Sequence, residues 1–437
     1  MKIRELIEAT GAEVLTNVSD ENLDVRISTD TRTIQKGDFY LPLKGANFDG
    51  EKFIESAIEK GAVGAFCTEK NNIKDVTVLK VSDTLTAYLQ LANYKRNKLN
   101  YTVVAVTGSS GKTTTKELVA STLESKYRVF KTPLNHNNEI GFCQTIFEAP
   151  EDTEILVLEM GMRGLGEIEL LSKYSEPDIT IIANVGTAHI GRLGSRENIA
   201  KAKCEIVKHQ RGNIFIAHND DLIKKTVEFD GEQIYYSIND VKVAERRQNY
   251  SKFEYQNDTY ELNVGGDYNI ENALSAIITA KKLGLNTKEI QDGLKKYHPI
   301  EKRWEVVEAG GYKIINDSYN ANPESMRVFV DTICSLYKDY TLILGDMGEL
   351  GDNEINYHKE LGRYINEKEN LNKNCTVLSV GNLSKNITDE ITKVKTCHFG
   401  DIESSISYIK DNIDKNSILF LKASRSMKFE QIIEKLK

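Results

Sequence analysis

Short β-branched runs that end in Gly, Ser, Asn or Asp alternate along the chain with longer stretches whose apolar positions recur at helical spacing. That alternation predicts strand–helix units and favours parallel sheets covered on both faces. Residues 1–8 read as a short amphipathic helix, residues 39–43 as an apolar strand stopped at a Gly-bounded turn, and residues 62–67 as another strand. Phe53, Ile54, Ala57 and Ile58 fall on one helix face between those strands, while residues 95–100 are polar and read as a linker. Further strands are predicted at 102–106, 155–158, 179–183 and 214–217, each closing in the kind of polar turn where open α/β sheets bind ligands. Residues 265–269 are predicted to start a helix that carries Asn272, Leu274, Ala276 and Ile277, and Gly310-Gly311 reads as a hairpin. Beyond it, strands are expected at 313–316, 341–344, 376–380 and 418–421, with helices after Pro323, around 355–365 and from Phe429 onward. The pattern divides into α/β units at 1–98, 99–311 and 312–437.

Length supports that division, because 437 residues exceed what one core holds. Hydrophobic residues at 40% and charged residues at 28% are ordinary for a soluble protein. No apolar stretch is long enough for a bilayer span, and Lys2, Arg4, Glu5 and Glu8 interrupt the place of a signal peptide. A cytoplasmic chain without membrane insertion is therefore expected. The six cysteines form no C-x-x-C and no Cys/His cluster, so reduced thiols are expected rather than disulfides or a zinc site. A net charge of −8 argues against nucleic acid as partner and leaves any anionic substrate to be met by local cations.

One such local feature is Thr107-Gly108-Ser109-Ser110-Gly111-Lys112-Thr113-Thr114, lying between an apolar strand and a helical pattern. Two glycines let backbone N–H groups turn onto phosphate oxygens, and the next helix aims its positive end at the same anion. Lys112 would reach the β/γ-phosphates and Thr113 would ligate Mg²⁺. Val106 occupies the first Gly position of the commoner G-x-x-x-x-G-K-[ST] form, so this is a shorter variant. Glu159 ends the next predicted strand and is either a second Mg²⁺ ligand or a solvated acid. His189 is open to several readings, as metal ligand, hydrogen-bond donor, or an ordinary capping or buried residue. Lys203, in a helical stretch, is by itself an ordinary solvated amine.

The chain resembles the Mur ligases over essentially its entire length. The resemblance is carried by the phosphate loop together with Asn135-His136-Asn137-Asn138-Glu139-Ile140-Gly141, Glu159-Met160-Gly161, and Asn184-Val185-Gly186-Thr187-Ala188-His189. It continues through residues 200–206, 266–273, Lys302-Arg303-Trp304-Glu305 and residues 316–323. Gly345-Asp346-Met347-Gly348-Glu349-Leu350-Gly351 is similar to the branch of the family that adds D-alanyl-D-alanine. Ser28-x-Asp30-x-Arg32, Leu43-Lys44-Gly45 and Phe48-Asp49-Gly50 match in the first unit.

The resemblance implies an α/β, three-domain architecture: a small N-terminal domain for the UDP-linked precursor, a central P-loop ATPase domain and a C-terminal Rossmann-like domain for the acceptor. It implies an ATP-dependent, ADP-forming ligase of peptidoglycan synthesis that joins D-alanyl-D-alanine to UDP-N-acetylmuramoyl-tripeptide through an acyl phosphate, acting as a monomer. Carried over by position, Lys112 cradles phosphate with Gly108, Ser109, Ser110, Gly111, Thr113 and Thr114. Thr113 and Glu159 hold a first Mg²⁺, and His189 and a carbamylated Lys203 serve a second; Lys203 is preferred to Lys201 on spacing. Asn138 and Asn272 correspond to adenine- and phosphate-side positions, Arg303 to a γ-phosphate contact, and Asp317 to a ribose contact or an orienter of Arg303. Ser28, Asp30, Arg32 and Lys44 fall to the precursor, and Asn320, Asn322, Ser424 and Arg425 to the acceptor or nucleotide. Three departures stand out: Glu51 replaces the usual His after Phe48-Asp49-Gly50, Cys204 replaces a commoner Gly, and the Asp-x-Pro-Arg signature of diamino-acid-adding relatives is absent. The competing expectations are a related ligase with another acceptor, such as a tripeptide-forming Mur ligase or folylpolyglutamate synthase, and a non-catalytic nucleotide-binding homologue.

Overall fold

The computed structural model describes residues 1–16, 20–45, 47–70, 73–133, 136–299 and 302–437. Asn135 and Glu301, which flank two of the motifs, lie outside the described residues. A six-stranded parallel sheet occupies the centre, in the order Glu232–Tyr236, Ile214–His218, Ile179–Ile182, Thr102–Thr107, Ile155–Glu159, Val129–Lys131. Successive residues of Thr102–Thr107 serve opposite faces. Val104 and Val106 pack with Leu118, Val119, Ile270 and Leu274 on one side. Val103 and Ala105 pack with Phe142, Ile146 and Leu171 on the other. A strand covered on both faces needs the unbroken apolar run seen in its sequence. The helix Lys112–Leu123 belongs to the first layer and Glu167–Ser175 to the second, so the tip of Thr102–Thr107 lies where the crossovers change face.

The N-terminal sheet runs Glu13–Val14, Thr77–Lys80, Gly64–Cys67, Phe39–Tyr40, Ile27–Ser28, with only the first pair antiparallel. The polar stretch expected as a linker at 95–100 is instead the end of a helix, Thr84–Leu99, opened by Asp83 and closed by left-handed Asn100. The reason is Arg96, which is completely buried and donates to Ser175 O at 2.8 Å, to Glu176 O at 2.8 Å and to the Asp178 carboxylate at 3.3 Å. Leu89, Leu91 and Ala92 of the same helix join one apolar cluster that runs from Phe39 and Leu79 to Leu156 and Leu158. The first two sheets thus share a core.

The third sheet has the order Glu305–Ala309, Tyr312–Asn316, Ile418–Lys422, Tyr340–Gly345, Thr376–Val380, Lys395–Phe399. Its first pair is an antiparallel hairpin and the rest is parallel. Because both arms of the Gly310-Gly311 hairpin lie in this sheet, the chain joins it at Glu305, ahead of the expected start at 312. Its core is separate from the shared cluster, and Ile190 of the central region packs against both. A polar antiparallel trio, Lys242–Arg247, Tyr250–Tyr255 and Asp258–Leu262, flanks the central sheet and was not foreseen. The six cysteines are free thiols, all buried except the partly exposed Cys397. Among the described residues no helix is long and apolar enough to cross a membrane.

Candidate functional site

A cavity of about 820 Å³ lies between the tips of the central strands and the third sheet. Its floor is the phosphate loop. Gly108 is packed so tightly that a Cβ there would meet Ala183 and Ser110 O at 3.0 Å, and Gly111 has φ +74°, the left-handed conformation that favours glycine. Lys112 Nζ folds back to Gly108 O at 2.8 Å. Burial lowers its affinity for a proton, Glu159 opposes this and Arg303 adds to it. Asn272 leans onto the loop and accepts from Thr115 Oγ1 at 3.2 Å. Asn138 lines the cavity while capping the helix Glu139–Glu148 through Gly141 N at 2.9 Å.

Glu159 ends its strand buried, 5% exposed. Asn137 Nδ2 donates to its Oε1 at 2.9 Å, whereas Oε2 is buried with no hydrogen-bond partner among the described residues. Lys116 Nζ lies 4.0 Å from Oε2 but is already bonded to Thr132 O at 2.7 Å and to Glu117 at 3.1 Å. A buried carboxylate oxygen without a donor suits a cation. Among the described residues no three His, Cys, Asp or Glu side chains gather as a metal cage. An ion here would therefore complete its shell with the Thr113 hydroxyl, phosphate oxygens and water, the habit of Mg²⁺ rather than zinc.

His189 lines the same cavity at φ +65°, with Nδ1 2.5 Å from the Glu349 carboxylate of the third-sheet region. Hydrogen bonding to His189 holds the Glu349 carboxyl below its usual range. Lys203 is 1% exposed, and no hydrogen bond or ion pair to its amine occurs among the described residues. Burial, then repulsion from Lys112, pushes its proton affinity well below that of an ordinary lysine. Lys201 by contrast is exposed.

Arg303 reaches the cavity from the approach to the third sheet. Its guanidinium lies 4.1 Å from the centre of the Tyr319 ring, and its Nε is buried without a hydrogen-bond partner among the described residues. Asp317 does not orient Arg303; Lys422 claims it, with Nζ 2.5 Å from Oδ2. Asn320 and Asn322 line the cavity, although Asn322 is committed to capping Pro323–Leu336 through Ser325 N at 2.8 Å. Ser424 and Arg425 do not join them: Ser424 Oγ contacts Ser426 Oγ at 3.2 Å, and Arg425 turns to Glu430 at 3.1 Å. The strand ends with Lys422 facing the cavity, and the chain then turns away through Arg425–Met427. Ser28, Asp30, Arg32 and Lys44 lie outside this cavity in the first unit. There the Arg32 guanidinium holds the Asp30 carboxyl down at about 2, and Lys44 is exposed on a small hairpin.

Three family models cover most of the chain. Residues 25–107 match the Mur ligase family catalytic domain, residues 106–280 the Mur ligase middle domain, and residues 302–425 the Mur ligase glutamate ligase domain. The UDP-N-acetylmuramoyl-tripeptide–D-alanyl-D-alanine ligase of Bacillus subtilis is 36% identical over 427 residues, covering 94% of this chain and 92% of that protein. The chain belongs to the Mur ligase family. Among solved structures, a MurF from Acinetobacter baumannii superposes with a TM-score of 0.88 at 28% identity, covering 100% of this chain and 98% of that one. A MurF ligase from Thermotoga maritima, crystallised with ADP, gives 0.82 at 28% identity, covering 94% and 97%. The three-domain α/β Mur ligase fold is therefore the fold of this chain.

Sequence reasoning passed over several residues of the Mur ligase cleft. Asn184 pins the phosphate loop: its Oδ1 accepts from Ser109 N at 3.1 Å and Ser110 N at 2.9 Å, and its Nδ2 donates to Ser110 O at 3.1 Å. An Asn at a strand tip was the available signal. Glu349 stood in a quoted motif, but only the folded chain brings it to His189. His136 lines the cavity with a buried Nδ1 that has no hydrogen-bond partner among the described residues. His218 faces Glu271 at 3.4 Å, and that hydrogen bond raises its proton affinity.

Proposed function

We propose that this Mur ligase uses ATP to join D-alanyl-D-alanine to UDP-N-acetylmuramoyl-tripeptide in the cytoplasm, releasing ADP and phosphate. The observation that carries the reading is a phosphate loop, an unpartnered buried carboxylate oxygen and an unpartnered arginine around one cavity closed by the acceptor-side sheet. We assign the units to precursor, ATP and acceptor, with the boundaries of 1–98 and 99–311 adjusted so that the third begins near residue 302.

A carboxylate is a poor electrophile at neutral pH, and phosphorylation supplies its leaving group. The tripeptide's terminal carboxylate attacks the γ-phosphorus, ADP departs, and the resulting acyl phosphate is attacked by the dipeptide amine. Two anions must meet, so positive groups have to be in place beforehand. Backbone N–H groups of 109–113 and the Lys112 ammonium hold the triphosphate, and Asn184 keeps that loop in register. Arg303, held over Tyr319, offers free N–H groups to the transferred phosphoryl. Mg²⁺, which Thr113 and Glu159 would hold, supplies positive charge at the phosphate oxygens when bound. A second ion would be served by His189, whose Nε2 stays free of Glu349, and by Lys203. Burial and Lys112 weaken the hold of the Lys203 amine on its proton, which favours the form that can add carbon dioxide; as a carbamate it would present oxygen instead of ammonium to a cation.

The test is incubation with ATP, Mg²⁺, D-alanyl-D-alanine and UDP-tripeptides carrying lysine or diaminopimelate, following product mass, with folates as the control acceptor. Ligated UDP-pentapeptide and stoichiometric ADP are expected from wild type, and neither from Lys112→Ala, which should keep its fold. Turnover on folates alone, or ligation by Lys112→Ala, would overturn the reading.

A further inference from the structure

Glu324 opens the helix Pro323–Leu336 on the acceptor side of the cavity. Its Oε2 accepts from Thr187 Oγ1 of the central region at 2.8 Å. Its carboxyl carbon lies 2.9 Å from where a Cβ on Gly186 would stand, and Gly186 N donates to Ser109 Oγ of the phosphate loop at 2.8 Å. The carboxylate is therefore set against the rim of an anion-binding loop. No Lys, Arg or His pairs with it among the described residues.

A negative charge in that place hinders triphosphate binding, and in a half-buried position the repulsion is screened less than in bulk water. A hydrogen bond to Thr187 would be met equally well by a neutral amide. What a carboxylate adds is an attraction for a cation that the chain itself does not supply. The incoming amine is such a cation, since an α-amino group is mostly protonated at neutral pH (pKa about 8). It must also lose a proton before nitrogen can attack.

We infer that Glu324 is a catalytic residue of the acceptor half-reaction, holding the incoming ammonium and taking its proton; the inference rests on the amine-acceptor reading above. One proton passes from nitrogen to the Glu324 carboxylate. The freed lone pair then forms the C–N bond at the acyl carbon. As the tetrahedral intermediate collapses, the C–O bond to phosphate breaks and phosphate leaves with that electron pair. The second proton lost by nitrogen leaves with the phosphate, and Glu324 returns its own to water.

Glu324→Gln keeps an oxygen for Thr187 and nearly the same volume, so a purely structural role predicts near-normal behaviour. Two rates separate the halves of the reaction: hydroxamate formed from ATP, Mg²⁺, UDP-tripeptide and hydroxylamine, a nucleophile already neutral at pH 7, and amide formed with D-alanyl-D-alanine. Hydroxamate formation is expected within about twofold of wild type, while kcat/KM for the dipeptide falls about 100-fold or more at pH 7. The variant's ligation rate should climb toward pH 8 as free amine appears, where wild type is flat, and Glu324→Asp should recover part of the loss. Ligation by Glu324→Gln within about threefold of wild type, an unchanged pH profile, or equal loss of hydroxamate would overturn the assignment. Absence of both products from wild type would instead refute the amine-ligase reading itself.

Discussion

Gly191 lies in the short helical turn Ile190–Leu193, where the central region touches the third-sheet region. Its N–H donates to Glu349 O at 3.1 Å. A Cβ there would collide with Gly351 N and sit 2.8 Å from Gly351 Cα and 3.0 Å from Glu349 O, all backbone atoms that cannot swing aside. Gly191→Ala leaves each unit's own core untouched, because the atoms nearest the new methyl all belong to the opposing loop. Forcing one methyl into such a contact costs about 1–3 kcal/mol. Charged entirely to this contact, it lowers the ratio of joined to separated regions about 5- to 150-fold. We expect kcat/KM for the dipeptide to fall by a factor in that range in a steady-state ligation assay. Nucleotide affinity and the thermal melt should stay near wild type, since the phosphate loop and the cores are unchanged, and the radius of gyration from solution scattering should rise. Wild-type turnover by Gly191→Ala, or loss of nucleotide binding, would refute this account of the contact.

Three further outcomes follow from single side chains. Lys203→Ala should lose ligation and regain part of it with added formate or acetate; full activity without rescue would remove the carbamate from the mechanism. Arg96→Met should lower the unfolding free energy by about 3 kcal/mol in a denaturant titration, because the buried Ser175 O and the part-buried Glu176 O lose a donor, while Asp178 keeps Arg211 and Val103 N. His358 is completely buried, with Nε2 accepting from Met347 N at 2.9 Å and Nδ1 2.7 Å from Glu354 O, and burial lowers its pKa from the ordinary 6.5. The unfolded chain thus binds the proton more readily, so stability should be full above about pH 6.5 and fall as pH drops toward the depressed folded value, by at most about 1.4 kcal/mol per pH unit. His358→Gln should remove that contribution to the slope, and an unchanged slope would show that the ring is not the group responsible.

Strand tips of the parallel sheets were legible because their runs are apolar on both faces and stop at polar turns. The edge strands Glu232–Tyr236 and Lys395–Phe399 escaped notice because their polar residues resemble loop. The end of Thr84–Leu99 was mistaken for linker since Arg96 looks like a surface residue until its carbonyl partners, some eighty positions away, are in place. At the site, Lys112, Glu159 and His189 could be placed together from strand-end positions alone. Asn184, Glu324 and Glu349 could not be assigned roles, because theirs depend on what faces them across a cleft. Ser424 and Arg425 mislead in the opposite way: proximity in sequence to Lys422 says nothing about the turn that follows.

The bolt formed by Arg96 has a consequence for how substrates are measured. With Thr84–Leu99 anchored to the central sheet and sharing its core, the distance from the Asp30–Arg32 corner to the phosphate loop is set by the scaffold rather than by each encounter. Under the assignment of units proposed above, such a span would work as a fixed gauge: a precursor gripped at its nucleotide end would present its far carboxylate to Lys112 only when its peptide stem has the right number of residues. Discrimination by stem length then needs no contact with the side chains along the way.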